Sequence, residues 1–222
     1  MQQPAAIVFD LDGTLVDSAP DIRHAINTVL AHDGLPSLGI KSVQLMIGGG
    51  PAVLVSRALD ELGITAESGD IARLTASFEQ IYLEQGNALT TLFQGVVSCL
   101  EDLKSYDVLI GLCSNKPEQL CQRLLADLGI AHFFSAIQGS GSGLPTKPHP
   151  AVLLSTLRRL DTTPELALYV GDSKTDVDTA RAAGVPVALV NGGYTAAPAT
   201  TLGADWVVEN LAGISSIWRQ LR

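Results

Sequence analysis

The residues from Ala5 to Ser18 constrain the fold of this chain more than any other stretch. Their apolar run, Ala5 to Phe9, has no helical period and predicts a strand buried on both faces, as inside a parallel sheet. Asp10 and Asp12 follow, and residues two apart on an extended chain point to the same side. Two carboxylates so close need compensation, which a hard cation such as Mg2+ commonly provides. Asp12-Gly13 is also typical of a simple hairpin turn, and the pair alone leaves that alternative open.

The composition indicates a globular protein and argues against a nucleic-acid partner. The chain has 222 residues, of which 46% are hydrophobic, and this is enough for a full core. The formal net charge of −9 is the wrong sign for binding a phosphate backbone. No apolar run is long enough for a membrane span, and the N-terminus lacks the pattern of a signal peptide. We therefore expect a cytoplasmic protein without a membrane partner, as a monomer or homodimer.

The three cysteines are predicted to be structural. Cys99, Cys113 and Cys121 are odd in number and have neither the spacing of a disulfide framework nor that of a zinc site. The four histidines likewise show no ligand spacing. We expect the cysteines to be reduced thiols in the core.

The region from Ser18 to about Gly86 is predicted to be entirely helical. Its apolar residues recur at helical spacing, and Gly and Pro stand at the joints between segments. One helix is expected to begin at Pro51, which suits a first helical turn. The expected buried stripe of this helix is Val53, Leu54, Ala58 and Leu59.

From about Leu92 onward the pattern changes to an alternation of strands and helices. Such alternation indicates a parallel sheet with helices on both faces, and the first strand belongs to that sheet. The predicted fold is a doubly wound α/β domain of residues 1–17 and 88–222. An all-helical domain, residues 18–87, is inserted after the first strand.

Ligands of open α/β sheets bind beyond the carboxyl ends of the strands, so the polar residues at those ends are the candidates. Ser114 and Asn115 follow the strand predicted at 108–113, where we expect the start of a helix and a site for an anion. A helix cap is the simpler explanation of either residue. Asp172 and Asp176 follow the strand predicted at 166–170, and two acids there exceed what capping requires.

Lys147 stands between a Gly/Ser segment and a helix opened by Pro150. Most lysines are surface charges, and the residue alone indicates nothing more. A lysine that binds phosphate is the sharper hypothesis, and only its combination with the other motifs supports it.

Taken together and in order, Asp10/Asp12, Ser114, Lys147 and Asp172/Asp176 resemble the four motifs of the haloacid dehalogenase superfamily. The first motif, Asp-x-Asp-Gly-Thr-Leu-x-Asp-Ser, has every fixed position present here. The resemblance covers essentially the whole chain, and the helical insertion is similar to the cap of the first subclass. Within that subclass the chain looks most like the phosphoglycolate phosphatases, through Asp17 to Asp21, Ile47 to Gly50 and Ser114 to Pro117.

The resemblance implies a phosphomonoester hydrolase that works through an aspartyl phosphate. In that mechanism Asp10 is the nucleophile and Asp12 the general acid and base. Mg2+ is held by Asp10, the backbone carbonyl of Asp12, and Asp172, while Asp176 stands behind them or supports Lys147. The residues expected to hold the phosphoryl oxygens are Thr14, Ser114, Asn115 and Lys147.

Substrate choice is assigned to the cap. The amides of Gly48, Gly49 and Gly50 are hypothesised to accept the carboxylate of 2-phosphoglycolate, although a flexible joint explains the glycines equally well. The alternatives are another small-metabolite phosphatase, acting on a sugar phosphate or pyrophosphate, and a phosphomutase similar to β-phosphoglucomutase. A dehalogenase is disfavoured because a halide leaves without the proton that Asp12 can supply.

Overall fold

The sheet is parallel and is covered on both sides, as predicted. The computed structural model describes residues 5–220, and within them six strands form one sheet. In chain order these strands are β1 Ala6–Phe9, β4 Leu109–Pro117, β5 Ala136–Ser140, β6 Ala167–Gly171, β7 Val187–Val190 and β8 Trp206–Val208. They pair in the order β5-β4-β1-β6-β7-β8. Every pairing between them is parallel, which confirms the doubly wound α/β class.

The two faces of β1 explain why its sequence has no polar position. Ile7 and Phe9 pack into a cluster with helices α5 (Val96–Ser105), α6 (Glu118–Asp127) and α9 (Ala212–Gln220). Ala6 and Val8 pack on the opposite face against α7 (Ala151–Arg159) and α8 (Lys174–Ala183). Successive residues of a strand point to opposite faces, so a central strand covered on both sides is apolar throughout.

Four helices lie between two short strands that follow β1. Strands β2 (Val16–Asp17) and β3 (Thr91–Leu92) pair antiparallel and bring the two ends of this segment together. The helices are α1 Ala19–His32, α2 Ile40–Met46, α3 Pro51–Glu61 and α4 Ser68–Gln85, and we call them the helical insert. Their apolar faces form a cluster separate from the two clusters of the sheet.

The buried stripe of α3 differs from the predicted one at a single position. Leu54, Val55, Ala58 and Leu59 are buried, whereas Val53 is 38% exposed. The prediction was wrong for Val53 because a residue advances about 100° around a helix, which places Val53 nearly opposite the centre of the stripe. Val55, on the other side of Leu54 in the sequence, takes the place of Val53 in the buried stripe.

Strand β4 extends four residues further than predicted, through Pro117, and α6 begins only at Glu118. Ser114 and Asn115 are therefore strand residues, and the expectation that they stand at a helix start was wrong. The pairing of β4 with β5 shifts register between Cys113 and Pro117. A side chain at Gly139 of β5 would lie 2.4 Å from the Glu118 Cα, so the glycine permits this close approach.

Asp21, at the start of α1, binds the segment that leads from the insert back to β3. Its carboxylate accepts hydrogen bonds from the Thr90 hydroxyl at 2.6 Å and from the Leu89 backbone N–H at 3.1 Å.

Of the predicted closing helix, Leu221 lies outside the described residues, as does the N-terminal tetrapeptide. Over residues 5–220, each helix is too short or too polar to cross a lipid bilayer.

Candidate active site

The predicted acidic residues meet at the carboxyl edge of the sheet. Asp10 follows β1 directly and Asp172 follows β6, the neighbour of β1. Both side chains are buried, with 6% and 2% of the residue exposed. One carboxylate oxygen from each of Asp10, Asp172 and Asp176 lies within 4.8 Å of the others. The sheet topology therefore brings Asp10 together with Asp172 and Asp176, which come from a distant segment of the sequence.

Lys147 is the cation of this cluster. Its Nζ donates to Asp10 Oδ1 at 2.7 Å, to Asp176 Oδ1 at 2.7 Å and to the Tyr169 hydroxyl at 2.9 Å. Burial alone would lower the pKa of this lysine, but the two carboxylates outweigh burial and raise it. The charged form of Lys147 is therefore favoured, and its ammonium group has an acceptor for each of its three protons.

Both carboxylate oxygens of Asp176 accept hydrogen bonds from other protein groups. It is the third residue of α8 and forms a capping box with Ser173, the residue before the helix. Its Oδ2 accepts from the Ser173 hydroxyl at 2.6 Å, from the Ser173 N–H at 3.1 Å and from the Asp172 N–H at 3.2 Å. Burial opposes the charge, but Lys147 and these donors keep the pKa of Asp176 below its ordinary value.

Asp172 has polar partners but no cationic one among the described residues. The Thr14 hydroxyl donates to its Oδ1 at 3.1 Å and the Tyr194 backbone N–H to its Oδ2 at 2.6 Å. Gly13 and Gly193 pack so closely that an added Cβ would lie 2.5 and 2.2 Å from Asp172 atoms. Burial and the neighbouring carboxylates hold the pKa of Asp172 well above its ordinary value.

This cluster has more negative charge than Lys147 can balance. Three carboxylates face one ammonium, and burial, with Asp176 nearby, raises the pKa of Asp10 to about 7 although Lys147 acts to lower it. A bound cation would relieve both the repulsion and the loss of hydration. The donors are all oxygen atoms, which suits a hard divalent ion. The residues present therefore fit a metal site.

Asp12 lies beside a second buried lysine. Lys116 Nζ lies 3.0 Å from Asp12 Oδ1 and 3.2 Å from Oδ2, and the Ser18 hydroxyl also donates to Oδ1. The Lys116 side chain is 6% exposed, and Asp12 raises its pKa although burial acts in the opposite direction. Sequence reasoning missed Lys116 as a site residue, although it stands next to Asn115.

A cavity lies between the helical insert and the end of the sheet. Asp10, Asp12 and Ser114 line it from the core, and Gly48 and Gly50 line it from the insert. Gly49 is not among the lining residues, and a Cβ added there would lie 2.6 Å from Val53 of the helix that follows. The hypothesis that the amides of Gly48, Gly49 and Gly50 bind the substrate carboxylate therefore stays a prediction, with Gly48 and Gly50 on the cavity wall.

Three residues predicted to hold phosphoryl oxygens have protein partners. The Asn115 side chain accepts from the Lys147 N–H at 2.8 Å and donates to the Lys147 and Gly48 carbonyl oxygens at 3.0 and 2.9 Å. The Thr14 hydroxyl is directed to Asp172. The Ser114 hydroxyl accepts from the Lys116 N–H at 3.2 Å and remains on the cavity wall.

Two tyrosines of the site were not predicted from the sequence. Tyr169 lies within β6, its hydroxyl near Lys147 and 3.1 Å from Asp176 Oδ1, and an aromatic residue in an apolar run is typical of a core position. Tyr194 follows Gly192-Gly193, and its hydroxyl donates to Asp17 at 2.5 Å and accepts from the Ala19 N–H. The sequence signals neither role, because the partners come from distant segments.

The chain matches known proteins over nearly its whole length. Residues 7–190 match the model of the haloacid dehalogenase-like hydrolase family. A phosphoglycolate phosphatase of Rhodospirillum rubrum is 37% identical over 219 residues, covering 95% of this chain and 89% of its own. Phosphoglycolate phosphatase 1 of Pseudomonas aeruginosa is 40% identical over 213 residues, covering 94% of this chain and 77% of its own.

A solved structure agrees with these relatives. The crystal structure of a predicted phosphoglycolate phosphatase from Haemophilus somnus is 33% identical, with a TM-score of 0.90 over 98% of this chain and 99% of its own. The family match alone spans most of the chain and includes every acid of the cluster. The chain therefore belongs to the haloacid dehalogenase-like hydrolases and is an enzyme of the phosphatase kind.

Proposed function

We propose that this enzyme hydrolyses 2-phosphoglycolate to glycolate and phosphate, with Mg2+ and through a phosphorylated Asp10. The observation that carries the proposal is the position of Lys147 Nζ, 2.7 Å from both Asp10 and Asp176. Asp172, the third acid of this cluster, has no cationic partner among the described residues. The relatives named phosphoglycolate phosphatase support the choice of substrate. The residues 18–87 act in this proposal as the cap over the cavity.

Asp10 is suited to the role of nucleophile. Its Oδ1 is held by Lys147, while Oδ2 has no hydrogen-bond partner among the described residues, and the side chain lines the cavity. An Asp10 oxygen attacks phosphorus, a new O–P bond forms, and the bond from phosphorus to the ester oxygen breaks. Water then attacks the phosphorylated Asp10 and releases phosphate, which restores the carboxylate.

Asp12 is suited to the proton transfers of both steps. It lines the same cavity, and Lys116 and Ser18 fix the orientation of its carboxyl group. Asp12 gives its proton to the departing alkoxide and then takes one from the attacking water. The two aspartates thus have separate roles, although they are only two residues apart.

Asp10, Asp172 and the backbone carbonyl of Asp12 would hold Mg2+. When bound, the ion supplies positive charge that reduces repulsion between the nucleophile and the phosphate and stabilises the transferring oxygens. Asp176 is not assigned as a ligand, because Lys147, Tyr169 and Ser173 already occupy both of its oxygens.

The phosphoryl group is bound in this proposal by Ser114 and by Lys147, which exchanges its hydrogen bond to Asp10 for one to a phosphoryl oxygen when Asp10 attacks. Thr14 and Asn115 act through other residues, because Thr14 donates to Asp172 and Asn115 holds the Lys147 backbone. This division changes the predicted roles of Thr14 and Asn115 from direct contacts to supporting ones. Phosphoryl transfer depends mainly on positioning and charge stabilisation, so supporting contacts of this kind matter to the rate.

Phosphate release from 2-phosphoglycolate tests the proposal. We expect turnover with Mg2+, none after removal of divalent ions with EDTA, and recovery when Mg2+ is restored. Asp10→Asn should abolish turnover, while circular dichroism and the unfolding midpoint show an intact fold. Turnover by Asp10→Asn at the wild-type rate would remove Asp10 as the nucleophile. Failure of the wild type to release phosphate from any monoester would overturn the proposed function.

A further inference from the structure

The Tyr82 hydroxyl is a buried polar group for which the protein supplies no partner. Tyr82 belongs to α4 of the helical insert, is 3% exposed and lines the cavity that Asp10 and Asp12 share. Its hydroxyl has no hydrogen-bond partner among residues 5–220. Buried hydroxyls are almost always hydrogen-bonded, because an unpaired one loses its hydration without compensation. A ligand in the cavity would provide the missing partner.

Lys116 lies against the Tyr82 ring. Its Nζ is 4.7 Å from the centre of the Tyr82 ring, which is the geometry of a cation–π contact. Two of its three protons are directed at the two oxygens of Asp12, and the ammonium also faces the Tyr82 side chain. The core therefore presents a positive group, whose third proton is not bound by a carboxylate, against the tyrosine of the insert whose hydroxyl has no hydrogen bond within the described part of the chain.

The surrounding wall strengthens any bond made at this point. Leu54 and Phe78 of the insert and Leu120 of α6 line the same cavity with apolar groups, and the Tyr82 and Lys116 side chains beside them are buried. Electrostatic interactions gain strength where water is excluded. Lys116 is also the one cationic side chain among the described lining residues.

We infer that the Tyr82 hydroxyl and the Lys116 ammonium together form the subsite for a carboxylate on the part of the substrate that leaves with the ester oxygen. The inference rests on the proposed function and adds the residues that select the substrate. The carboxylate accepts one hydrogen bond from Tyr82 and one from Lys116. Tyr82 comes from the insert and Lys116 from the core. The subsite therefore exists only when the insert and the core together enclose the cavity.

Glu79 limits what this subsite accepts. It lines the same cavity one turn of α4 before Tyr82, and it adds a negative charge to the wall. A substrate with a single carboxylate beside Lys116 is compatible with that charge. A substrate with a further anionic group near Glu79 is repelled.

The test compares two substrates that differ only at the subsite. 2-Phosphoglycolate carries a carboxylate where 2-hydroxyethyl phosphate carries a neutral CH2OH group. For Tyr82→Phe we expect kcat/KM to fall about 10- to 100-fold with 2-phosphoglycolate, the usual effect of a hydrogen bond to a charged group, and less than about threefold with 2-hydroxyethyl phosphate. Tyr106→Phe, which removes a hydroxyl outside the cavity lining, should leave both values unchanged.

Stability and binding measurements separate this inference from a purely structural role and from the reaction itself. Tyr82→Phe should leave the Tm unchanged or raise it, since it deletes an unpaired hydroxyl, and a lower Tm would indicate a structural bond and contradict the inference. In the Asp10→Asn background, calorimetry should show weaker binding of 2-phosphoglycolate after Tyr82→Phe. Equal binding, or an unchanged substrate preference, would overturn the subsite. A wild type that cleaves neither ester would overturn the proposed function. The calorimetric comparison would then still decide whether Tyr82 and Lys116 bind the carboxylate.

Discussion

The Asn115 side-chain amide donates a hydrogen bond to the Gly48 carbonyl oxygen at 2.9 Å, which joins the end of β4 to the turn between α2 and α3 of the insert. The same amide group brackets the backbone of Lys147 with bonds at 2.8 and 3.0 Å. One side chain thus links the position of the insert to the position of the lysine that contacts Asp10.

Asn115→Ala should therefore weaken both stability and catalysis. The substitution leaves buried backbone groups of Lys147 unpaired, and we expect the free energy of unfolding to fall by about 1–3 kcal/mol. We expect kcat to fall as well, because Lys147 loses its fixed position beside Asp10. Urea unfolding and phosphate release measure the two effects. Asn191→Ala, which removes an exposed hydrogen bond to Glu209, is the control and should change neither by much.

Lys147→Met tests whether this lysine compensates the buried acids. The variant keeps the apolar stem but leaves Asp10 and Asp176 without their common cation. We expect the free energy of unfolding at neutral pH to fall by about 3–5 kcal/mol, the usual cost of removing one partner of a buried ion pair. Adding Asp176→Asn should recover part of that loss. Two losses that simply add would contradict a direct interaction between Lys147 and Asp176.

The acids of the site were predictable because each follows an apolar strand. Asp10 and Asp172 come directly after β1 and β6, and parallel strands bring their carboxyl ends to one edge. The class of fold followed from the same runs of strands and helices. These features depend on local sequence and on general rules of topology, so no information about side-chain contacts was needed.

The remaining features depend on contacts between distant residues. Lys116 pairs with Asp12 across 104 positions, and Tyr169 reaches Lys147 and the Cys113 carbonyl oxygen from within an apolar strand. The extension of β4 through Pro117 likewise depends on pairing with β5. Nothing in a single segment encodes such partners, and a lysine or tyrosine read alone is typical of the surface or the core.

Gly13→Ala should remove activity by displacing Asp172. Gly13 has φ +90°, and an added Cβ would lie 2.5 Å from Asp172 Oδ2. Gly34→Ala is the matched control, because Gly34 has φ +70° but nothing within 4 Å of an added Cβ. Both variants have the cost of a positive φ, about 1 kcal/mol, and only Gly13→Ala adds the clash. Phosphate release should therefore be lost in Gly13→Ala alone. Equal activity of the two variants would show that Asp172 tolerates displacement.

The three cysteines should resist thiol reagents while the protein is folded. Cys99, Cys113 and Cys121 are free and buried, and burial raises the pKa of Cys99 to about 11 and that of Cys113 to about 12. The thiolate is the reactive form, so both access and ionisation oppose reaction at neutral pH. Titration with a chromogenic disulfide should detect almost no thiol in the native protein and three in urea. Rapid reaction of a native thiol would contradict the buried positions.

Asp205 should give the protein a measurable dependence of stability on pH. It lies before β8 and accepts two hydrogen bonds from Arg181 at 2.8 and 3.0 Å and one from the Val187 N–H at 2.8 Å. Partial burial opposes the charge, but these donors hold the pKa of Asp205 below its ordinary value. Its ionised form is therefore stabilised by folding, and the gain is present above the unfolded pKa of about 3.9 and lost as pH falls through the folded pKa.

Asp205→Asn should accordingly destabilise the protein at neutral pH by about 0.5–1 kcal/mol, a modest value because the Arg181 pair is partly exposed to solvent. The amide of the variant can still accept from Val187, so the difference measures mainly the charge. We expect the gap between the two urea-unfolding free energies to be constant from about pH 8 to pH 5 and to close as pH falls below the ordinary aspartate pKa. A gap that stays constant down to the lowest pH at which both proteins fold would mean that the carboxylate charge contributes nothing to stability.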